Sequence, residues 1–474
     1  MTLAARRLIK PLATLACVLV ASLNCLAQAQ TAAQPGELER LREDYAMRYL
    51  EPEPHMALAK YFRDHGDRLQ AFYILETARR GRFDEDEFNA AFKRYFLGEE
   101  PFDNSRDAES KLLAELARDP KSQDALHGLA DIYISREEYA KGREYLVKLI
   151  PLRPDRFEDT DALSEVYRRE GNEAEAEKTL REWARLHPDT AEAYRIRVEQ
   201  LSEKESAKAE ALLTEAAAKF PREAAFPFTL AGIRLRENKL KEAEALYLRA
   251  AELAPDSSFV QMWVGRFFFK AAPDDRRALE HYLSAYLLDP HAYETEYVES
   301  RIPKINERLA EASLQEQLKR GAPLTKIAED KDSFVVIHAI EEMGKNWRPE
   351  YLKTLVELMT HDDGGVRWRA TELIKTKADA SFDATLASLL KDRDLRRRGL
   401  AAYVAVNRWK ARAFDQMRAM LREDAQLLRF DAVSALVIEG GPEGRKVALE
   451  HAARETHPKL KQILDRLKEE DATP

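Results

Sequence analysis

The chain has 474 residues, of which 34% are charged, and its formal net charge is −8. The length exceeds what one compact core supports, and the low content of glycine (17) and proline (20) favours charged helices over a β-rich fold. The acidic balance argues against a general nucleic-acid binder or a protein that binds anionic membranes, because phosphate binding needs an excess of cations.

The first 29 residues have the features of a secretory signal peptide. Three basic residues stand in the first ten, an apolar run covers residues 12–26, and Ala27 and Ala29 place small side chains where signal peptidase cuts. The apolar run is short for a membrane span, and an uncleaved anchor helix is the alternative interpretation. We therefore predict cleavage after Ala29 and a periplasmic or secreted protein with no integral membrane span.

Both cysteines of the chain, Cys17 and Cys25, lie inside this signal. The cleaved chain would then have no thiol for a disulfide or a cysteine metal site. The residues before each cysteine do not fit the small-residue pattern of a lipoprotein signal, so we do not expect lipid attachment.

Beyond the signal, a proline recurs about every 34 residues. Proline cannot continue a helix, so each one marks the end of a helix. The series is Pro120, Pro154, Pro188, Pro221, Pro255 and Pro290, with spacings of 34, 34, 33, 34 and 35 residues.

The residues between these prolines fit two helices that pack against each other, with large apolar side chains on one helix facing small ones on the other. In the unit that ends at Pro188, Leu163 and Tyr167 share one helical face, Gly171 makes the turn, and Ala176 and Leu180 face the first helix. This pattern at a period of 34 resembles the tetratricopeptide repeat (TPR) family over residues 36–322. We assign residues 30–322 to a TPR solenoid that ends in a capping helix.

A second repeat follows in the C-terminal third of the chain. An acidic turn, an apolar residue and an arginine recur about every 30 residues, at Val366–Ala370, Leu395–Gly399 and Leu428–Ala432. This pattern resembles HEAT-like repeats of the short type, which also stack helix pairs. We assign residues 323–474 to a HEAT-like domain. The predicted fold class is therefore all-α, a right-handed α-solenoid of TPR helix pairs followed by HEAT-like helical repeats.

The sequence contains no motif typical of a catalytic or metal site. Phosphate-binding loops, dinucleotide fingerprints, zinc-protease motifs and haem-attachment motifs are missing, and the ten histidines are scattered singly. We predict no catalytic residue, no cofactor and no metal. Some proteins with short HEAT-like repeats are tetrapyrrole lyases, but export and the lack of thiols disfavour that activity.

One basic cluster stands out near residue 400. Its members are Arg396, Arg397, Arg398, Arg408, Lys410 and Arg412. In HEAT-like families an arginine at the Arg396 position often pairs with acids of a neighbouring repeat, which is the structural interpretation. The alternative is a surface for an anionic partner, either an acidic protein or the phosphates of an envelope glycolipid.

In the TPR family the first helix of each pair lines a concave groove that binds partners. The groove positions predicted for a partner are Tyr194, Val198, Leu201, Phe228, Leu235, Arg236, Phe259, Met262, Arg266 and Phe269. Exposed aromatic rings there would anchor a partner, or they pack against the adjoining repeat instead. The lysine–asparagine clamp with which some TPR proteins hold a chaperone's carboxylate is not implied, since no groove position that would carry the asparagine has one.

The resemblance implies a non-catalytic scaffold for protein–protein interactions. We expect it to hold an extended peptide segment of a protein partner and to assist the assembly of cell-envelope or secretion complexes. Two alternatives remain open, a polysaccharide- or glycan-binding export factor and a cofactor-free accessory subunit of a periplasmic redox complex. Nucleic acid is not an expected partner.

Overall fold

The structure is a computed structural model that describes residues 36–81, 83–99, 103–201, 205–290 and 295–472. All regular secondary structure in these ranges is helical. The all-α prediction is confirmed. The predicted signal peptide, its cleavage site and both cysteines lie outside the described residues.

The chain divides into two compact units. The terminal unit comprises Met1–Glu99 together with Asn306–Pro474, and the central unit comprises Glu100–Ile305. This division differs from the boundary that the sequence suggested between residues 322 and 323, because the first helices group with the C-terminal helices and not with the helix pairs of the central unit. A repeat period in the sequence indicates which helices are neighbours along the chain. It does not indicate which helices pack together when they are far apart in sequence.

The terminal unit begins with four helices. They are α1 (Glu37–Met47), α2 (Pro52–Asp64), α3 (Arg68–Gly81) and α4 (Glu85–Ala91), followed by a π-helical turn at Phe92–Leu97.

The central unit contains consecutive helix pairs joined by short turns. Its helices are α5 (Arg106–Arg118), α6 (Gln123–Ser135), α7 (Tyr139–Leu149), α8 (Phe157–Arg169), α9 (Glu173–Leu186), α10 (Ala191–Glu199), α11 (Ser206–Lys219), α12 (Ala225–Arg236), α13 (Leu240–Leu253), α14 (Ser258–Lys270) and α15 (Asp275–Leu288). Five of the six periodic prolines come two residues after the last residue of an α-helix, and Pro154 comes two residues after the 3₁₀ turn Ile150–Leu152. The proline series therefore marks the helix ends as predicted.

Three turns inside the pairs of the central unit contain a left-handed residue. Gly171, which the sequence placed in the turn between α8 and α9, has φ 77°. Glu137 and Asn238 occupy the corresponding turns of two other pairs and have φ 61° and 59°. Because these two are not glycine, they hold a conformation that L-residues rarely adopt, and tertiary packing overrides the local preference.

The remaining helices complete the C-terminal part. They are α16 (Thr295–Lys319), α17 (Leu324–Ile327), α18 (Ser333–Lys345), α19 (Tyr351–Leu358), α20 (Gly364–Lys377), α21 (Asp383–Leu389), α22 (Leu395–Trp409), α23 (Phe414–Met420), α24 (Gln426–Glu439), α25 (Gly441–His451) and α26 (Pro458–Ala472). The division between the units falls within α16. In the described ranges, no helix combines the length and apolarity that a membrane crossing needs.

Two of the three acidic turns predicted for the HEAT-like repeats supply helix N-caps. The third, Glu423–Asp424, does not, because Ala425 is the N-cap of the next helix and no side chain caps it. Asp363 accepts hydrogen bonds from the main-chain N–H groups of Gly365 and Val366 at 2.7 and 3.1 Å, and Asp394 accepts from that of Arg396 at 2.9 Å. A carboxylate in this position satisfies donors that the first helical turn leaves unpaired. These two acidic turns are thus local folding signals.

Long-range contacts join the two sequence segments of the terminal unit. The guanidinium of Arg42 on α1 donates from Nε to Asp362 at 2.8 Å, and the main-chain N–H of Leu50 donates to Oε1 of Gln426 at 2.9 Å. These hydrogen bonds span more than 300 residues, and α1 packs against α22 and α24 of the C-terminal segment.

Candidate partner-binding face

The predicted groove positions lie on the first helices of three successive pairs in the central unit. Helix α10 carries Tyr194 and Val198, and Leu201 follows its end. Helix α12 carries Phe228, Leu235 and Arg236, whereas α14 carries Phe259, Met262, Arg266 and Phe269.

Two of these residues are not exposed as the groove prediction required. Tyr194 is 5% exposed; its hydroxyl donates to Glu215 at 2.5 Å, and the guanidinium of Arg197 covers its ring at 4.1 Å. Met262 is also buried. A helix turns by about 100° per residue, so a face assigned by counting reaches the core after a one-residue shift. The prediction that Tyr194 and Met262 line an open groove is therefore corrected, and both belong to the packing between repeats.

The other positions are more accessible. Phe259 is 54% exposed and Arg236 is exposed, while six others are partly buried. The partly buried group is Val198, Leu201, Phe228, Leu235, Arg266 and Phe269. Val198 packs at the edge of the core cluster around Tyr194.

Three aromatic rings from α12 and α14 form one cluster. The ring centroid of Phe228 lies 5.4 Å from that of Phe259 and 6.5 Å from that of Trp263, and Phe259 and Trp263 are 6.1 Å apart. Phe228 also meets the buried Tyr247 edge to face at 5.7 Å. Aromatic contacts of this geometry hold the rings in place, so Phe259 is a large exposed ring on a fixed aromatic base.

The sequence analysis missed Trp263. Its position, four residues after Phe259 on one helical face, was the signal that could have included it. Its indole Nε1 is buried, and no described residue accepts a hydrogen bond from it.

Two arginines flank the cluster. The guanidinium of Arg266 lies over the Trp263 ring at 4.6 Å, which is a cation–π contact. Burial raises the pKa of Tyr247, and the positive charges of Arg236 and Arg266 partly oppose that rise. Both guanidinium groups are therefore near the Tyr247 hydroxyl. A Cβ at Gly232 would stand 3.9 Å from Nη1 of Arg236 and 4.0 Å from the Tyr247 hydroxyl. We name Phe228, Phe259, Trp263, Arg236 and Arg266 the aromatic–arginine face.

The predicted basic cluster in the terminal unit is mostly engaged in ion pairs. Arg396 is only 6% exposed, and its guanidinium reaches Asp362 of the preceding repeat at 3.0 Å and Asp394 at 2.8 Å. Burial opposes the charge of Asp394, but the hydrogen bond and positive charge of Arg396 hold the pKa of that carboxyl below its usual range. These contacts match the structural interpretation of Arg396.

The neighbouring cations are held in the same way. Arg397 lies 3.5 Å from Asp392, and Arg398 pairs with Glu423. Arg408 bonds Asp383 at 2.8 Å, and its hydrogen bond lowers the pKa of that carboxyl.

Lys410 and Arg412 remain exposed, and Lys410 donates to the main-chain carbonyl of Glu439 at 3.4 Å. The prediction of one open basic patch over all six residues is therefore corrected. The positive charges of the other four are matched by nearby acids, which lie in turns between helices except for Asp383 on α21. A count of the charges in one segment could not show these pairs.

The part of the chain that the structure describes has no group of three or more histidine, cysteine, aspartate or glutamate side chains placed to hold a metal ion.

Comparisons with known proteins add little to this description. No protein-family model matches the chain, and no curated protein matches it either. Among solved structures, the chain is similar to a human IFIT1 dimer with PPP-AAAA (15% identity, 90% of this chain and 97% of that chain, TM-score 0.30). It is also similar to yeast Tom70 (11% identity, 92% and 85%, TM-score 0.26) and to the P58(IPK) TPR domain (13% identity, 78% and 94%, TM-score 0.24). Likenesses this weak carry no argument about function.

Proposed function

We propose that the chain is a non-catalytic scaffold that binds an extended segment of a partner protein on the aromatic–arginine face of the central unit. The observation that carries this proposal is the exposed ring of Phe259, which lies against Phe228 and Trp263 with Arg266 stacked beside it. An exposed aromatic residue with fixed neighbours is the type of anchor that dominates binding energy in protein interfaces.

The chemistry of the face specifies the segment. An apolar side chain of the partner packs on Phe259, and a carboxylate pairs with Arg236 or Arg266. An extended peptide can present an apolar and an acidic side chain side by side to such a face. We therefore infer a partner segment in which an apolar residue is flanked by aspartate or glutamate.

The compartment and the pathway are part of the same proposal. The signal-like N-terminus supports an exported protein, and the scaffold would then serve the assembly of envelope or secretion complexes in the periplasm. Envelope polysaccharide is the rival ligand, because aromatic rings also stack on sugars.

A selection of peptides from a random display library on the purified chain distinguishes the two ligands. We expect enriched peptides to carry an apolar residue beside acidic residues. Phe259→Ser should weaken their binding at least about tenfold, or ~1.4 kcal/mol, measured by isothermal titration calorimetry. Because the Phe259 ring is half exposed, the circular dichroism spectrum and the melting temperature should stay close to those of the unchanged protein.

Leu186→Ser is the matched control. Leu186 lies at the end of α9 in the same unit and is 60% exposed, but it is not part of the aromatic–arginine face. The control should bind the selected peptides normally. Equal losses in both variants, or binding of polysaccharide with no peptide selected, would contradict the proposal.

A further inference from the structure

The terminal unit contains a cleft of about 360 Å³ beside the C-terminal ends of α23 and α25. These two helices pack together, and the turns that follow them complete the walls of the cleft. The volume lies within the range of small-molecule pockets, which measure about 300–1,000 Å³. The cleft belongs to a different unit from the aromatic–arginine face, so a ligand bound in it is independent of the proposed function.

Positive charge exceeds negative charge in the walls of this cleft. The walls contain the guanidinium groups of Arg418, Arg422 and Arg454 and the carboxylate of Glu450. These four side chains carry three positive charges and one negative charge, an excess of two. Asp415 lies outside the cleft and pairs with Arg418 at 3.1 Å, but its side chain is 94% exposed, so water weakens that pair. Even with Asp415 counted, one positive charge remains in excess.

Two of the three arginines have no ion pair with a described residue. Arg422 and Arg454 are both exposed. The acid that follows Arg422 in the chain, Glu423, pairs with Arg398 instead. The guanidinium groups of Arg422 and Arg454 can therefore bind an anion without breaking an existing ion pair.

A buried acid holds the turn that carries Arg454. The side chain of Glu455 is 1% exposed and lies 3.1 Å from Arg429 and 2.9 Å from His451, which also lines the cleft. Glu455 further accepts from the main-chain N–H of His457 at 2.8 Å. The negative charge of Glu455 is therefore engaged by other partners, and these contacts fix the backbone that carries Arg454.

The excess of positive charge favours a phosphate group as the ligand. A phosphate monoester carries about −1.5 to −2 charges at pH 7 and has three terminal oxygens. A guanidinium binds two such oxygens in a bidentate contact, so more than one arginine can bind the same phosphate. A carboxylate has only one charge and two oxygens, so it would leave part of the positive charge unpaired.

We propose that this cleft binds the phosphate group of a small phosphate monoester. Arg422 and Arg454 bind the phosphate oxygens, and Arg418 adds a third positive charge. Glu450 weakens the binding, because its negative charge repels the phosphate.

Titration calorimetry of the purified chain at about 0.15 M salt tests the proposal with three soluble probes. Glycerol phosphate is a monoester with two charges and should bind with a Kd below about 1 mM. Dimethyl phosphate and acetate carry one charge each and should bind at least about tenfold more weakly. Equal binding of the three probes would overturn the proposal.

Lipid vesicles distinguish a lipid headgroup from a soluble ester. Phosphatidic acid carries the same monoester group, whereas phosphatidylglycerol carries a diester with one charge. A headgroup site predicts that the chain sediments with vesicles of phosphatidic acid only, and a site for a soluble ester predicts binding of glycerol phosphate without sedimentation. Binding of neither, or equal sedimentation with both lipids, would contradict a site for a phosphate monoester.

Variants then locate the site. Arg422→Gln and Arg454→Gln should each weaken binding of the monoester at least about tenfold, with an unchanged melting curve because neither side chain has an ion pair to lose. Arg412→Gln is the matched control, since it removes an exposed arginine of the same unit that does not line the cleft. It should change the affinity less than about threefold.

Glu450→Gln should act in the opposite direction. It removes the repelling charge from the cleft and should strengthen binding of the monoester at least about threefold. Weaker binding in Glu450→Gln, or losses in Arg422→Gln and Arg454→Gln no larger than that in Arg412→Gln, would contradict the assigned site.

Discussion

One helix contact from each unit shows two different ways of packing helices together. In the central unit small residues let helices touch, as at Gly265, where a Cβ would stand 2.7 Å from the buried ring of Tyr282. In the terminal unit buried ion pairs join successive repeats, as between Arg396 and Asp362 and between Arg429 and Glu455 at 3.1 Å. The close contact at Gly265 is a steric fit between apolar groups, whereas the Arg396 contact places charges inside an interface. The central unit also has a comparable buried ion pair, between Arg153 and Asp159 at 2.7 Å.

This difference decides which cations can meet a partner. The basic cluster of the terminal unit looks like a binding patch in sequence, yet Arg396 is buried between two carboxylates. In the central unit, Arg236 is exposed beside an aromatic cluster, and no ion pair joins it to a described residue. Clustering of arginines is therefore a poorer guide to a binding surface than the neighbours that each arginine has.

The largest expected effect comes from removing a buried charge in the terminal unit. Arg396→Ala leaves Asp394 without its cation and should lower the free energy of unfolding by about 3–5 kcal/mol. Hydrogen–deuterium exchange with mass spectrometry should place the loss of protection in the terminal unit, with the central unit unaffected. Arg396→Lys should recover only part of the loss, because a lysine cannot reproduce the two-sided guanidinium contact. A loss below ~1 kcal/mol for the alanine variant would show that the ion pair is not a packing device.

A smaller effect is expected from crowding a helix contact in the central unit. Gly265→Ala forces a methyl group against Tyr282 and should cost about 1–3 kcal/mol, measured by exchange protection of α14 and α15.

Gly232→Ala is the control for that substitution. Gly232 also lies inside a helix, but its added methyl would meet nothing closer than 3.9 Å. The same change should there stabilise the protein by about 0.5–1 kcal/mol, because alanine is the better helix former. Effects of the same sign at both positions would refute the close-contact argument.

A cap of the helix that carries the partner-binding face should have a modest effect. The Ser257 hydroxyl accepts from the main-chain N–H of Val260 at 3.3 Å and caps α14. Ser257→Ala should cost about 1 kcal/mol, seen as faster exchange in the first turn of α14. Ser258→Ala, one position inside the helix, should be close to neutral. Equal exchange in the two variants would mean that the cap contributes nothing.

The smallest expected effect is the dependence on pH of the free energy of unfolding of the terminal unit. Burial lowers the pKa of His361 below its usual 6.5, and its Nδ1 accepts from the main-chain N–H of Asp363 at 3.0 Å, which requires the neutral ring. Burial likewise lowers the pKa of His457. Below about pH 6.5 these histidines bind protons more readily in the unfolded chain than in the folded chain. Their contribution to the free energy of unfolding is therefore complete above about pH 6.5 and falls as the pH drops below it.

His361→Gln should reduce this dependence. Glutamine can accept from the Asp363 N–H but does not titrate, so unfolding midpoints in urea at about pH 7 and pH 5.5 should differ less in the variant than in the unchanged protein. An identical difference in both proteins would exclude His361 as a source.

Local features of the sequence predicted the repeat architecture well. The proline period indicated the helix ends, and Gly171 indicated a turn, because each acts through the conformation of its own backbone. The groove was predicted less well. Tyr194 and Met262 are buried, although the residue count placed them in the groove. An error of one residue in such a count moves a side chain to another face of the helix, and Trp263 was left out of the groove for the same reason.

Long-range structure was beyond the sequence. Nothing in the residues near Arg42 indicates that its partner, Asp362, lies 320 positions away. Repeat patterns specify neighbouring pairs, whereas unit boundaries arise from contacts between distant ones.

The central claim is that the aromatic–arginine face binds an apolar segment flanked by acids. Reversing both charges, in Arg236→Glu with Arg266→Glu, tests it against a selected acidic peptide and against the same peptide with lysines in place of its acids. The acidic peptide should lose at least about tenfold in affinity and the lysine peptide should gain affinity for the variant. Unchanged binding of the acidic peptide by the folded double variant would contradict the claim.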